Sequence, residues 1–225
     1  MSRRIAILAL GLASLALSSL AQGQDPTPAR GADGSKHIRS LEEIRNEGVV
    51  RQRWDVSCGA AALSTILTYE FKDNTPETSI VVWLLHRLDA KKVRARGGFS
   101  LLDLKHFAEA RGYNAEGFSG MTMEDLLEQK TPVIVPIHLK GFDHFIVVKG
   151  IVAGRVMIAD PAFGNNTMRV DRFQELWKGG IVFIVHPPDE KMIPERDLTT
   201  ETRLVPDATV IARQIEMTIP TFTLY

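Results

Sequence analysis

Residues 55–63 read Asp-Val-Ser-Cys-Gly-Ala-Ala-Ala-Leu, and they carry more structural information than any other stretch of the sequence. Helix-forming, nearly uncharged residues continue from Ala60 to Leu67, which predicts a buried helix. Ser57 is well placed to cap this helix, because a serine hydroxyl can accept a hydrogen bond from a free backbone N–H. The prediction puts Cys58 in the first turn.

Cys58 is the single cysteine of the 225-residue chain. One thiol cannot form an intramolecular disulfide or supply a Cys-rich zinc site, so both are excluded. The first turn of a helix has unpaired N–H groups and the positive end of the dipole, and both favour the reactive thiolate. The alternative is a small buried hydrophobic residue, a common role of free cysteine. Gln52, six residues upstream, has an uncharged amide that can join the Cys58 N–H in holding a tetrahedral oxyanion.

Predicted helices come before predicted strands along the chain. Helices are expected at 80–88, 100–109 and 122–128, and the last two begin with capping boxes. After Pro132, β-branched apolar runs predict strands at 133–139, 144–152, 156–160, 167–170 and 181–186, with a helix at 171–177. Residues 49–52 are expected to form one further strand. Helices first and an antiparallel sheet second indicate an α+β fold.

Two histidines compete for the role of general base beside the thiol. His144 begins a predicted strand and Asp160 ends the following one, so a hairpin turning at Ala153-Gly154 brings them together, provided that a bulge or offset corrects its unequal arms. An Asp that accepts the far imidazole N–H fixes the tautomer and stabilises the imidazolium. His138 lies within a strand and has no comparable acid partner. A metal site of His138, His144 and Asp160 is the rival interpretation, but the spacing matches no strong ligand motif.

The N-terminal segment of the chain predicts a secreted protein. Arg3 and Arg4 precede an apolar run at 5–17, and small residues precede Gln22, a pattern typical of a cleaved signal peptide over residues 1–21. The alternative is a retained anchor, although the run is short for a span of roughly 20 residues. Removing the signal takes away two arginines and no acid, so the mature chain is slightly acidic. This balance gives no attraction to nucleic acid.

Three segments follow the signal peptide in the predicted organisation. Residues 22–48, rich in Gly, Pro, Asp and Arg, form a linker, in which a helix at 41–45 would be too short to stand alone. Residues 49–186 form the catalytic domain. Residues 187–225 form a C-terminal extension with nothing that indicates a second catalytic unit.

Four ordered motifs resemble the papain-like bacteriocin-processing peptidases, which trim leader peptides after a double glycine. The motifs are Gln52-x5-Cys58-Gly59-x-Ala61-Ala62-Leu63, His144-Phe145-Ile146-Val147-Val148, Asp160-Pro161-Ala162-x-Gly164, and Phe173 with Trp177-x-Gly179. The resemblance implies a papain-like fold, with Cys58 as nucleophile, His144 as general base and acid, Asp160 as its orienting partner and Gln52 in the oxyanion hole. Relatives commonly carry an acid before the cysteine, where this chain has Ser57.

The signal peptide makes the chain more similar to stand-alone secreted members, including those encoded with pseudomonad functional-amyloid secretion systems. We therefore expect a periplasmic cysteine peptidase that needs no cofactor and no metal and acts on a peptide or secreted protein, after small residues such as a glycine pair. Its expected partners are this substrate and outer-membrane secretion machinery, with no nucleic acid and no membrane span after signal removal. The alternatives are a non-hydrolytic peptide-binding or chaperone-like domain, and acyl transfer to an amine in place of water.

Overall fold

The computed structural model describes residues 40–139 and 141–193. The predicted signal peptide, the linker up to residue 39 and the extension from residue 194 lie outside the described residues. None of the helices within the described ranges is long and apolar enough to cross a membrane.

Seven α-helices occur in the described residues. They are α1 (Leu41–Asn46), α2 (Cys58–Thr65), α3 (Glu77–Leu85), α4 (Ala90–Ala95), α5 (Leu101–Ala110), α6 (Met123–Leu127) and α7 (Val170–Leu176). A π-helical segment, Ile66–Glu70, continues α2. The predicted capping boxes at α5 and α6 are present, because Ser100 and Thr122 each exchange hydrogen bonds with an aspartate three residues later. The prediction missed α4, whose charged sequence has no apolar periodicity.

The strands form one sheet in which every pairing is antiparallel. They are β1 (Asn114–Phe118), β2 (Val133–Leu139), β3 (Phe142–Val152), β4 (Arg155–Asp160), β5 (Gly164–Arg169) and β6 (Val182–His186), in the order β1-β6-β2-β3-β4-β5. The predicted antiparallel strands at 133–139, 144–152 and 156–160 correspond to β2, β3 and β4, and the short strand predicted at 167–170 overlaps β5. The prediction missed β1, an edge strand that pairs with β6. The combination of helices with an antiparallel sheet confirms the α+β class.

The two faces of the sheet bury separate hydrophobic clusters. On one face, α2, α3 and α5 pack against residues such as Ile134, Val147 and Phe183. On the other, α6 and α7 cover residues such as Val135, Ile146 and Ile158. Strand residues alternate between the faces, so a strand with both faces covered is apolar throughout. This double covering explains the continuous apolar runs of β2 and β4.

Helix α2 lies in the centre of the first cluster. All of its residues are buried, which confirms the prediction of a buried helix. Its approach to the sheet is close, because a Cβ atom at Gly59 would lie 3.1 Å from both Leu104 Cδ1 and Phe145 Cδ2. This packing fixes the first turn of the helix against β3.

The end of the predicted linker is folded. Ser40 and Glu43 form a capping box at the start of α1, and α1 lies against β5. Asn165 Nδ2 donates to the carbonyl oxygen of Glu47 at 2.6 Å. Gly164 has a φ of 79°, and a Cβ there would collide with the Arg45 backbone. Tertiary contacts therefore stabilise a helix that is too short to stand alone.

The predicted strand at 49–52 is wrong. The backbone of this segment makes isolated hydrogen bonds, from Val50 N to Thr65 Oγ1 and from Gln52 N to the Pro161 carbonyl oxygen. These partners lie on two different elements and form no ladder. The segment instead connects α1 to α2 across the turn that follows β4.

Candidate active site

Cys58 is the first residue of α2 and is buried, with 7% of its surface exposed. The predicted capping of α2 by Ser57 is wrong, because the Ser57 side chain makes no hydrogen bond to the helix N–H groups. Its hydroxyl instead contacts a carboxylate oxygen of Glu77 on α3, at 2.6 Å. A long-range contact has replaced the local cap, and the N–H groups of the first turn are not capped by Ser57.

His144 and Asp160 are paired within the sheet. His144 Nε2 lies 2.8 Å from Asp160 Oδ1, and both side chains are nearly inaccessible, at 5% and 7% exposed. The unequal hairpin arms predicted a bulge or an offset, and both are present: the pairing of β3 with β4 shifts register between Val148 and Gly150, and Ala159 pairs with Val147, so His144 lies past the position opposite Asp160. The structure therefore brings together the two residues that the sequence proposed as a pair.

Cys58 meets the same histidine from the helix side. The Cys58 thiol interacts with the His144 imidazole, and because Nε2 contacts Asp160, the nitrogen left for the thiol is Nδ1. Burial by itself lowers the pKa of His144. The hydrogen bond to Asp160 and the interaction with Cys58 outweigh burial and raise the pKa of His144 to about 9. The geometry therefore favours a protonated imidazole at neutral pH.

The turn after β4 fixes the Asp160 carboxylate. Oδ1 of Asp160 accepts hydrogen bonds from the backbone N–H of Ala162 at 2.7 Å and of Phe163 at 3.2 Å. Arg51 holds the outside of this turn, since its guanidinium donates to the carbonyl oxygens of Pro161 and Ala162. These contacts limit the rotation of the carboxylate that faces His144.

Gln52 lies at the edge of the same cleft. Its Nε2 donates to the Trp54 carbonyl oxygen at 3.1 Å, and because an amide NH₂ has two donors, this bond engages only one of them. Its Oε1 is buried and accepts no hydrogen bond from the residues described. The structure thus brings Gln52 and the start of α2 to one cleft, six residues apart in the chain.

His138 has an acid partner, contrary to the prediction. Its Nδ1 lies 2.9 Å from Asp143 Oδ1, because His138 and Asp143 are directly opposite each other in the β2–β3 hairpin. Lys178 also contacts Asp143, at 2.6 Å. Unlike the pair at His144, the side chains of His138 and Asp143 are more than half exposed. Across residues 40–139 and 141–193, no cluster of His, Cys, Asp and Glu side chains is arranged to hold a metal ion.

The cleft above Cys58 and His144 has a volume of about 930 Å³. One wall comes from the segment between α4 and α5, which includes Gly98 and Phe99. The β2–β3 hairpin and the turn after β4 also line the cleft, with the half-exposed rings of Phe142 and Phe163. A volume of this size is typical of small-ligand and peptide clefts, about 300–1,000 Å³.

Two residues near the site were missed by the sequence analysis. Arg51 contacts the Asp160 turn from 110 positions away in the chain, and Glu77 contacts Ser57 from 20 positions away. No local pattern predicts such contacts. Glu77 occupies the first turn of α3, where acids are common because they stabilise the positive end of the helix dipole. Its position in the sequence therefore gave no sign of a contact with Ser57.

Comparison with known proteins identifies the family. Residues 46–190 match the peptidase C39 family. The chain is 33% identical over 173 residues to the probable functional amyloid protease FapD of Pseudomonas fluorescens, a match that covers 75% of this chain and 76% of that protein. It is 31% identical over 173 residues to the protein of the same name from Pseudomonas aeruginosa, with the same coverage.

Two solved structures share the fold. One is a double glycine motif protease from an AMS/PCAT transporter in complex with the leader peptide, with a TM-score of 0.51, 27% identity, and coverage of 62% of this chain and 90% of that one. The other is the peptidase domain of Streptococcus ComA, with a TM-score of 0.52, 21% identity, and coverage of 62% and 97%. The chain belongs to the peptidase C39 family, and it is a cysteine peptidase with the papain-like fold of these domains.

Proposed function

We propose that this protein is a periplasmic cysteine peptidase that cleaves a peptide or secreted protein after small residues, in support of amyloid or peptide export. The observation that carries the proposal is the buried arrangement in which His144 lies between Cys58 and Asp160, at a cleft of about 930 Å³ that Cys58 and His144 line. In this proposal Cys58 is the nucleophile, His144 is the general base and acid, and Asp160 orients the imidazole.

The raised pKa of His144 makes the imidazole a ready proton acceptor beside the Cys58 side chain, and the imidazolium that forms stabilises the thiolate nucleophile. His144 takes the proton of the Cys58 thiol, and the thiolate attacks the carbonyl carbon of the scissile bond. The tetrahedral intermediate collapses as His144 gives its proton to the leaving amine, which leaves a thioester on Cys58. A water molecule then attacks the thioester, His144 accepts its proton and returns it to the departing thiolate, and the acid product is released.

The negative oxygen of each tetrahedral intermediate needs donors. The backbone N–H of Cys58 belongs to the first turn of α2, where N–H groups have no partner within the helix. The second amide hydrogen of Gln52 is not the one donated to Trp54, so it remains for a substrate oxygen. These two donors form the oxyanion hole in our proposal.

Small residues at the cut site, such as a glycine pair, agree with two features. The rings of Phe142 and Phe163 line the cleft beside the buried pair, and the Phe142 and His144 rings are arranged edge to face with centroids 6.2 Å apart. Among the similar proteins, one is a double glycine motif protease bound to a leader peptide, and the FapD proteins are probable functional amyloid proteases. An amyloid precursor or exported peptide is accordingly the proposed substrate class, and outer-membrane secretion machinery the proposed partner.

The location and the domain division are part of the proposal. Residues 1–21 direct the chain across the inner membrane, residues 22–48 lead into the fold, 49–186 form the peptidase domain and 187–225 form an extension. The signal-like sequence at 1–21 supports the periplasmic location. Fractionation of the native host, with N-terminal sequencing of the mature protein, tests it: a mature chain that begins at Gln22 is expected in the periplasm.

The Cys58→Ala variant tests the chemistry. The expected result is complete loss of cleavage of a peptide with an internal glycine pair, with an unchanged thermal midpoint, because the side chain removed is small. Mass spectrometry of the products locates the cut, and matched peptides with a leucine pair or a lysine pair in place of glycine test the preference. Cleavage retained in Cys58→Ala, or a preference for leucine or lysine, would contradict the proposal.

The same assay separates the alternatives. A peptide-binding domain without turnover would retain the peptide and leave it intact with the wild-type protein. An acyl transferase would yield an amide product when a glycine ester or another amine is added, whereas a peptidase yields the free acid. The expected result is the free acid.

A further inference from the structure

Glu77 is a buried acid that the proposed chemistry does not use. Only 3% of its surface is exposed, and it lies in the first turn of α3, next to the loop that leads into Cys58. Burying a carboxylate is costly unless donors satisfy it. Its Oε2 is nonetheless buried and accepts no hydrogen bond from the residues described, so every contact that compensates Glu77 falls on Oε1.

Oε1 of Glu77 contacts both ends of the loop formed by residues 53–57. It accepts a hydrogen bond from the backbone N–H of Arg53 at 3.0 Å and one from the Ser57 hydroxyl at 2.6 Å. Arg53 directly follows Gln52, and Ser57 directly precedes Cys58. A single oxygen atom therefore joins the two residues that flank the proposed oxyanion donors.

The single hydrogen of the Ser57 hydroxyl can be assigned to one of two acceptors. This hydroxyl has one hydrogen and two acceptors within reach, Glu77 Oε1 at 2.6 Å and the Trp54 carbonyl oxygen at 2.8 Å. The Trp54 oxygen already accepts from Gln52 Nε2 and from the Ser57 backbone N–H, both at 3.1 Å. These two bonds occupy its two lone pairs, so the hydroxyl hydrogen belongs to Glu77. Without Glu77, the hydroxyl would compete with Gln52 for the Trp54 oxygen.

Packing holds the second half of this loop, where Ser57 is buried and Val56 lies against Gly98, but it does little for the first half. Arg53 and Trp54 are exposed. Gln52 lines the active-site cleft on one side and, with Arg53 and Glu77, a second cavity of about 500 Å³ on the other. A segment with open space on both sides depends on its hydrogen bonds for a fixed position. Gln52 N donates to the Pro161 carbonyl oxygen, and the remaining bonds involve Glu77 Oε1, the Trp54 oxygen and Ser57 Oγ.

We infer that Glu77 is a positioning residue that sets the distance between the Gln52 amide and the Cys58 N–H, and so pre-organises the oxyanion hole. The inference rests on the proposed roles of Cys58 and Gln52. Such donors act only when they already point at the developing negative charge, so a displaced loop lowers the rate of the chemical step more than it weakens substrate binding.

The test compares two chemistries at the same thiol. Peptide cleavage passes through an oxyanion, whereas alkylation of Cys58 by iodoacetamide displaces iodide and forms none. Glu77→Ala is expected to lower kcat by about 10-fold to 100-fold, less than the roughly 10²–10³-fold cost of deleting an oxyanion donor. KM and the alkylation rate are expected to stay within about twofold of wild type, because the thiol and its imidazole are untouched.

Glu77→Gln is the conservative variant and is expected to restore most of kcat, since its amide oxygen can still accept both hydrogen bonds. Ser57→Ala removes one of the two bonds and provides an independent variant, should Glu77→Ala fold poorly. Because both residues act through one contact, the double variant is expected to lose less than the product of the two single losses.

Asp73→Ala is the matched control. Asp73 bonds Arg111 and Tyr113 and does not line the cleft, so this variant loses a partly buried acid without disturbing the loop. It is expected to lower the thermal midpoint and leave kcat unchanged.

Three outcomes would overturn the inference. They are an unchanged kcat in folded Glu77→Ala and Ser57→Ala, an alkylation rate that falls in parallel with kcat, and strictly multiplicative losses in the double variant. The proposed function stands in all three cases if wild-type cleavage depends on Cys58. Cleavage that survives Cys58→Ala would overturn the proposed function and, with it, the role of Glu77.

Discussion

Two histidine–aspartate pairs lie close together on β2, β3 and β4, and their contact distances are almost equal. His144 and Asp160 are 2.8 Å apart, and His138 and Asp143 are 2.9 Å apart. The environments differ, because the first pair is at most 7% exposed and the second is more than half exposed. Distance therefore does not separate a candidate catalytic pair from a surface pair.

Burial and a third partner make the difference. Burial by itself lowers the pKa of His144, but the interactions with Asp160 and Cys58 outweigh burial and raise it to about 9. His138 faces water and shares Asp143 with Lys178, and an exposed ion pair of this kind contributes little to stability. A histidine with an acid on one side and a thiol on the other has the arrangement that proton transfer requires.

Replacing each histidine by alanine is expected to give the largest difference between the two pairs. His144→Ala is expected to lower kcat by about 10²–10⁴-fold, the usual contribution of a general acid–base group. His138→Ala is expected to change kcat by about twofold or less, because the hydrogen bond of its ring goes to Asp143 and not to Cys58 or Asp160. Steady-state cleavage of the glycine-pair peptide measures both. Equal losses in the two variants would mean that the exposed pair takes part in catalysis.

The alkaline limb of the pH profile of kcat/KM is expected to distinguish the buried pair from the exposed pair. In the proposed mechanism protonated His144 donates to the leaving amine, so kcat/KM is expected to hold from neutral pH to about 9 and to fall as the pH rises through the pKa of His144. Asp160→Asn removes a negative partner, lowers the pKa of His144 and shifts this limb to lower pH. Asp143→Asn, the exposed counterpart, is expected to leave the limb in place. A limb that does not move in Asp160→Asn would contradict the role of the carboxylate.

The smallest effect is expected for the stability of the exposed pair. Asp143→Ala removes the partner of His138 and Lys178, and it should change the free energy of unfolding by about 1 kcal/mol or less. Urea titration at low and high NaCl measures this, and the difference from wild type should shrink at high salt, because exposed charges are screened. A loss of several kcal/mol that is insensitive to salt would show that the surface pair supports the fold.

Much of the fold could be predicted because local patterns and tertiary structure agree. The β-branched runs gave strands β2 to β4 nearly at their observed bounds, and the Ser100 and Thr122 capping boxes marked the starts of α5 and α6. The pairing of His144 with Asp160 also followed, because both residues lie on one hairpin whose turn is marked by Ala153-Gly154.

The errors arise where a distant partner decides the outcome. Ser57 has the residue type of a helix cap, but Glu77 on another helix takes its hydroxyl. The acid partner of His138 was missed because the strand was expected to begin at His144, whereas β3 begins at Phe142 and places Asp143 opposite His138. Register across a tight hairpin is set by the pairing itself, and a shift of the expected start hides one cross-strand pair.

The bulge in β3 has an evolutionary consequence. Lys149 is the extra residue between two regular stretches of pairing, Val148 with Ile158 and Gly150 with Met157. Deletion of Lys149 would restore an unbroken ladder of hydrogen bonds, and the residue pairs before and after the bulge would stay the same. The hairpin can thus gain or lose one residue while His144 and Asp160 keep their places. Homologues that differ in the chain length between this histidine and this aspartate can therefore conserve the same catalytic geometry, and a motif search should allow for such a gap.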